Sequence, residues 1–161
     1  MTCFVRSLFF KLACLIYISY RIGEINAKAK GKDKLFCYAI DIESNKNDVL
    51  DAKKVAEELD VNLEVINLTK TYKSYLQVLG GKNLSKLTKS NLKVRMRMVA
   101  LFAYAQEHSG LVLGTDNMDE RYVGYFTKYG DGAADVLPIV YFVERFVCFL
   151  LPNQLLVFQV I

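Results

Sequence analysis

Two short apolar runs separated by a stretch of helical periodicity constrain the fold of this chain most. Leu35–Ile42 (L-F-C-Y-A-I-D-I) and Leu63–Leu68 (L-E-V-I-N-L) each read as a strand. Between them Val49, Ala52, Val55, Ala56 and Leu59 recur at the spacing that lines up one face of a helix. Asn47 or Asp48, closing the polar loop Glu43–Asn47, is placed to cap that helix, and Asp60–Asn62 to end it. Strand, helix, strand in that order requires a right-handed crossover and a parallel sheet covered on both faces.

The pattern continues. A short helix is expected over Tyr72–Leu79, before the Gly80-Gly81 break. Asn91 opens a long helical run reaching about His108, with Val94, Met98, Leu101 and Ala105 on one side and Met96, Val99 and Ala103 on another. A helix apolar over so much of its circumference lies deep in a fold or against a partner subunit. Gly110 is a suitable stop, after which Leu111–Leu113 reads as another strand. No internal repeat or low-complexity linker interrupts the series.

Bulk properties agree with one folded domain. The chain has 161 residues, 53% hydrophobic and 24% charged, with a net charge of +4. That charge suits an anionic small molecule; without a helix-turn-helix, zinc-finger or RNA-binding signature it does not point to nucleic acid. Cys3, Cys14, Cys37 and Cys148 match neither a zinc site nor a disulfide scaffold, and read as reduced, mostly buried thiols of a cytoplasmic protein. With His108 as the single histidine, Ser-His-Asp and Cys-His catalysis have little support. Its place at a helix end suits the dipole.

The two ends differ from the middle. Phe4–Tyr20 is mostly apolar but contains Arg6 and Lys11, and is short of the about 20 clean apolar residues of a membrane span. Nor does a small-residue cleavage site follow it. A membrane anchor is the weakest of the functional readings. The tail Ile139–Ile161 favours strand by composition, broken at Pro152. Both ends lack the caps and polar alternation of the middle, as an altered reading frame would produce. The expected division is thus an atypical segment 1–34, an α/β core 35–139 and an atypical tail 140–161.

The chemistry concentrates in Gly114–Pro138, G-T-D-N-M-D-E-R-Y-V-G-Y-F-T-K-Y-G-D-G-A-A-D-V-L-P. It begins where the Leu111–Leu113 strand would end, the edge at which open α/β sheets bind ligands. Asn117-Met118-Asp119-Glu120 starts a helix. Glu120 is either a Mg²⁺ ligand or the closing residue of a capping box, and spacing favours the cap. Thr127–Gly132 is a glycine-dense turn, and Lys128 either adds a charge to a phosphate cradle or is merely solvated. Arg95 and Arg97, two apart on an apolar helix, point to different faces and need an anion, a salt bridge or the surface.

Taken together, N-L-K-V-R-M-R-M from Asn91, then L-V-L-G-T-D-N with Glu120, then V-G-Y-F-T-K-Y-G-D-G-A-A-D-V-L-P-I resemble ammonia-dependent NAD synthetase. The resemblance is gapless from Asn91 to Ile139 and looser back to about Leu35. It implies a doubly wound parallel sheet of the adenine-nucleotide alpha-hydrolase type and a homodimer. It also implies ATP-dependent amidation of deamido-NAD with ammonia through an adenylated carboxylate. By matching position, Thr115 would contact ATP, Glu120 would bind Mg²⁺, and Arg95, Lys128 and Asp135 would hold deamido-NAD.

The family's S-G-G-x-D-S pyrophosphate loop has no counterpart in Met1–Lys34. The family's arginine near the first strand's end falls at about Ile40, and a later lysine falls near Glu144. An impaired enzyme, truncated or disrupted at both ends, is therefore expected. The alternative is a non-catalytic nucleotide-binding or dimerising remnant.

Overall fold

The computed structural model describes residues 34–80, 83–138 and 140–141. The run Phe4–Tyr20, the cysteines Cys3, Cys14 and Cys148, and the tail except Val140 and Tyr141 lie outside them. The first strand, β1 (Cys37–Asp41), pairs with β2 (Leu63–Asn67) in a small parallel sheet. Both lie within the apolar runs from which they were expected. Cys37 is a free thiol, half-buried, and burial pushes its pKa up.

Between the strands, α1 covers Lys46–Leu59. Its cap is Asn45, earlier than the Asn47 or Asp48 read from sequence. The Asn45 side chain accepts the Asn47 N–H at 3.2 Å, while Asp48 reaches back to the Asn45 N–H at 3.1 Å. Asp48 therefore serves the cap from inside the first turn rather than being the cap. Asp60, at φ 52°, ends α1 as expected, its N–H turned to the carbonyls of Ala56 and Glu57.

The next helix, α2 (Thr69–Val78), begins before the expected Tyr72 because Asn67 accepts the Thr69 N–H at 2.9 Å and turns the chain at once. The long helix α3 (Lys86–Glu107) likewise starts ahead of Asn91. Ser85 caps it, its Oγ accepting the Thr88 N–H at 3.1 Å. At the other end Ser109, not Gly110, takes the left-handed conformation (φ 50°), and the Gly110 N–H closes onto Ala105 at 2.7 Å. Of α3's apolar residues Met98 alone is fully buried, and Val99 is 71% exposed.

Leu111–Leu113 contributes less strand than expected: a single parallel bridge joins Leu113 to Val136. Leu111 is 68% exposed, so the run is not buried along its length as a central strand would be.

The described residues divide into two compact units, one of 34–39 and 44–65, the other of 40–43, 66–80, 83–138 and 140–141. The first buries Ala39, Ala52, Val55 and Ala56; the second buries Ile40, Ile42, Tyr72, Met98 and Val112. In the second, Arg97 Nε donates to the Ile40 carbonyl at 3.0 Å, and Lys93 Nζ pairs with Glu43 at 2.9 Å. Every candidate site residue belongs to this second unit.

Candidate functional site

The Leu113–Val136 bridge sets the site's position. The Gly114 N–H donates to the Val136 carbonyl at 2.9 Å, and the Val136 N–H to the Val112 carbonyl at 3.2 Å. A Cβ at Gly114 would lie 2.5 Å from Leu137 Cδ2 and 2.6 Å from Ala134 Cβ, so only glycine lets the backbones approach this closely. Thr115 follows, half-buried, and then the buried pair Asp116 and Asn117.

Asn117 caps α4 (Met118–Val123), accepting the Glu120 N–H at 3.0 Å. Glu120 answers by accepting the Asn117 N–H at 3.1 Å through Oε2. The capping box read from N-x-x-E is thus present, and it holds the Glu120 carboxylate buried at the head of the helix. Gly124, at φ 71°, ends α4 in the left-handed conformation that glycine adopts without cost.

Asp116 is the electrostatic centre. It is 4% exposed, and its Oδ2 is buried with no hydrogen-bond partner. Burial raises its pKa to about 6, helped by the Asp131 charge and opposed by Arg121. The Arg121 Nη1 stands 3.8 Å from that oxygen, near enough for attraction and too far for a hydrogen bond.

The loop after α4 is tied at several points. Its Thr127 N–H donates to Asp131 Oδ1 at 2.8 Å, closing a turn in which Tyr129 takes the left-handed conformation (φ 62°). A short 3-10 turn, Asp131–Ala133, follows. From α3, Arg95 Nε donates to the Lys128 carbonyl at 3.0 Å, and Asn91 Oδ1 accepts from Thr127 Oγ1 at 3.3 Å. Gly130 must be small, since a Cβ there would lie 2.7 Å from Val94 Cγ1. Asp135 Oδ2 accepts the Val112 N–H at 2.9 Å.

The residues singled out in the sequence therefore fall as follows. Arg95 and Lys128 meet directly, though through the lysine's backbone; the Lys128 ammonium lies 5.0 Å from the Tyr129 ring centre on an exposed side chain. Asp135 is joined to the Val112 end of the bridge, and Thr115 stands just beyond it. Glu120 bonds within its own helix cap. Sequence reasoning passed over Arg121 and the burial of Asp116. The spacing D-x-x-x-x-R was visible, but only the chain's return at Gly132 gives it meaning.

Among the described residues no three His, Cys, Asp or Glu side chains gather into a metal-binding group. Nor is any helix among them long and apolar enough to cross a membrane.

The architecture and the loop at its strand edge define an α/β protein of the adenine-nucleotide alpha-hydrolase class. The structure resembles NMN synthetase from Francisella tularensis (32% identity, TM-score 0.73), covering 84% of this chain and 56% of that one. It also resembles an NH3-dependent NAD synthetase from Campylobacter jejuni (25% identity, TM-score 0.74), covering 83% of this chain and 57% of that one. The NH(3)-dependent NAD(+) synthetase of Mycoplasmopsis pulmonis is 58% identical over 81 residues, 49% of this chain and 31% of the relative. The model of the NAD synthase family matches residues 19–156, and the chain belongs to that family. It spans between 31% and 50% of the length of the curated relatives it matches.

Proposed function

We propose that this chain binds deamido-NAD and ATP at the Gly114–Asp135 edge and amidates the nicotinate carboxylate with ammonia, at a rate well below that of its longer relatives. The carrying observation is the loop Thr127–Asp135. Arg95 and Asp135 anchor it, and it belongs to a chain matched by the NAD synthase family over residues 19–156.

The chemistry runs in two displacements. A carboxylate oxygen of deamido-NAD attacks the α-phosphorus of ATP, and pyrophosphate leaves. Ammonia then adds to the activated carbonyl, AMP departs with the C–O bond electrons, and loss of a proton leaves the amide. A free carboxylate is a poor acceptor because oxide is a poor leaving group; adenylation removes that obstacle. Such a reaction depends on positioning and charge neutralisation rather than on an enzyme nucleophile.

In this reading Thr115 contacts ATP, and Lys128 and Asp135 hold deamido-NAD. Arg95 joins them: its Nε bond to the loop leaves the two terminal nitrogens for the ligand's phosphates. Glu120 would hold Mg²⁺, which neutralises phosphate charge. Mg²⁺ draws most of its ligands from water and phosphates, so one protein carboxylate such as the buried Glu120 suits it. The enzyme works as a homodimer in the cytoplasm.

The reading of reduced activity rests on the residues ahead of the first strand. No S-G-G-x-D-S run occurs in Met1–Lys34, and such a loop would supply the amide cradle for pyrophosphate. The same observation favours a second reading, a non-catalytic remnant that retains the deamido-NAD surface.

Calorimetric titration of the purified chain, followed by product analysis with ATP and ammonium, separates them. Binding of deamido-NAD with slow, ATP-dependent appearance of NAD is expected. Binding without any turnover favours the remnant, and absence of binding overturns both. Turnover matching a full-length relative removes the claim of impairment. Since one solved relative is named an NMN synthetase, the corresponding mononucleotide acid is assayed alongside.

A further inference from the structure

Arg121 occupies the last turn of α4 and makes three contacts: with a backbone carbonyl, with an aromatic ring and with a carboxylate. Its Nη1 donates to the Gly132 carbonyl at 3.3 Å. Its guanidinium carbon lies 4.7 Å from the centre of the Phe126 ring. The same Nη1 faces the buried, hydrogen-bond-free Oδ2 of Asp116 at 3.8 Å. The Phe126 ring in turn lies so near Gly132 that any Cβ there would collide with it. Ring, glycine and guanidinium are therefore in mutual contact, and the ring leaves no room for a side chain at Gly132.

We propose that Arg121 is the positioning residue of the Phe126–Asp135 loop, clamping its Gly132 carbonyl to α4 so that Lys128 is presented to an anionic nucleotide in a set arrangement. Arg95 holds the loop at Lys128 and Asp135 holds it at Val112. Between those two anchors, Arg121 restrains the 3-10 turn Asp131–Ala133. The role suits a planar guanidinium, which lies over a ring and donates from its edge in one fixed geometry; a lysine ammonium on its flexible stem makes such contacts without that fixed fork. Buried Asp116 provides the countercharge that keeps the guanidinium from swinging out to water, where its side chain is already 36% exposed. The ligand part of this inference rests on the proposed deamido-NAD reading; the clamping of the loop does not.

The test pairs amide hydrogen exchange with calorimetry on the whole chain and its Arg121→Ala and Arg121→Lys variants. Exchange over residues 125–135 reports the clamp, and exchange over α1 reports the fold. Loss of one charged hydrogen bond predicts loop exchange about tenfold faster in Arg121→Ala, and deamido-NAD affinity about tenfold weaker, with α1 unchanged. Arg121→Lys is expected to restore neither in full. Loop exchange unchanged in Arg121→Ala overturns the proposal. If that variant unfolds, Arg121→Lys decides, and wild-type loop exchange there overturns it. Should the unaltered chain bind no deamido-NAD while Arg121→Ala still loosens the loop, the clamp stands and the substrate assignment fails.

Discussion

Asp116 carries a buried carboxyl group whose ionisation the fold opposes. Its pKa of about 6 lies above the value of about 3.9 expected for an aspartate in the unfolded chain. Between those two values the folded chain keeps a proton that the unfolded chain has released. The sign follows: this contribution to stability is complete in acid below the unfolded value, and is lost as pH rises through about 6. A shift of that size corresponds to about 3 kcal/mol. Asp116→Asn is expected to flatten the pH dependence of the melting temperature across that window and to melt above the parent at neutral pH. A variant whose curve keeps the parent's slope would assign the slope to other groups. Arg95 and Arg97 are half-buried and place their charge differently. The expectation that they point to different faces holds, since they reach the carbonyls of Lys128 and Ile40. Each donates its Nε to a backbone carbonyl, one in a loop and one in a strand, an acceptor the sequence reading of anion, salt bridge or surface did not include.

Helix ends explain where the elements begin and stop. Both capping boxes, Asn45 with Asp48 and Asn117 with Glu120, satisfy amides that the first turn leaves unpaired. The N-x-x-E pattern at Asn117 was legible because all its parts lie within one turn. At α1 the run E-S-N-K-N-D offers several competent caps, and the path of the chain out of β1 selects Asn45. Asn117→Ala is expected to cost about 1–2 kcal/mol in chemical denaturation, because its cap is buried and no water replaces the lost bond. Asn45→Ala, at an exposed cap, should cost less. Equal costs at the two positions would show that burial of the α4 cap adds nothing.

At the scale of the whole molecule, the apolar pattern of α3 is only partly accounted for among the described residues. Met98 is buried, whereas Leu87 and Val99 are each 71% exposed. The homodimer reading predicts that sedimentation shows a mass rising with concentration toward that of two chains. A single-chain mass at every concentration would remove the homodimer from the proposed function. The family match, residues 19–156, reaches beyond the expected 35–139 core on both sides, so the tests above use all 161 residues.

The sequence alone determined the order of strand and helix, the buried face of α1, the capping box at Asn117 and the family to which the loop belongs. Each is written in residues a few positions apart, where periodicity and local hydrogen bonding act. Tertiary structure alone decided that Arg95 meets Lys128, that Arg121 reaches Gly132, that Asp135 takes the Val112 amide and that Asp116 is shut away from water. Those outcomes depend on where distant segments come to rest, because desolvation and long-range hydrogen bonds arise only once the chain has closed on itself.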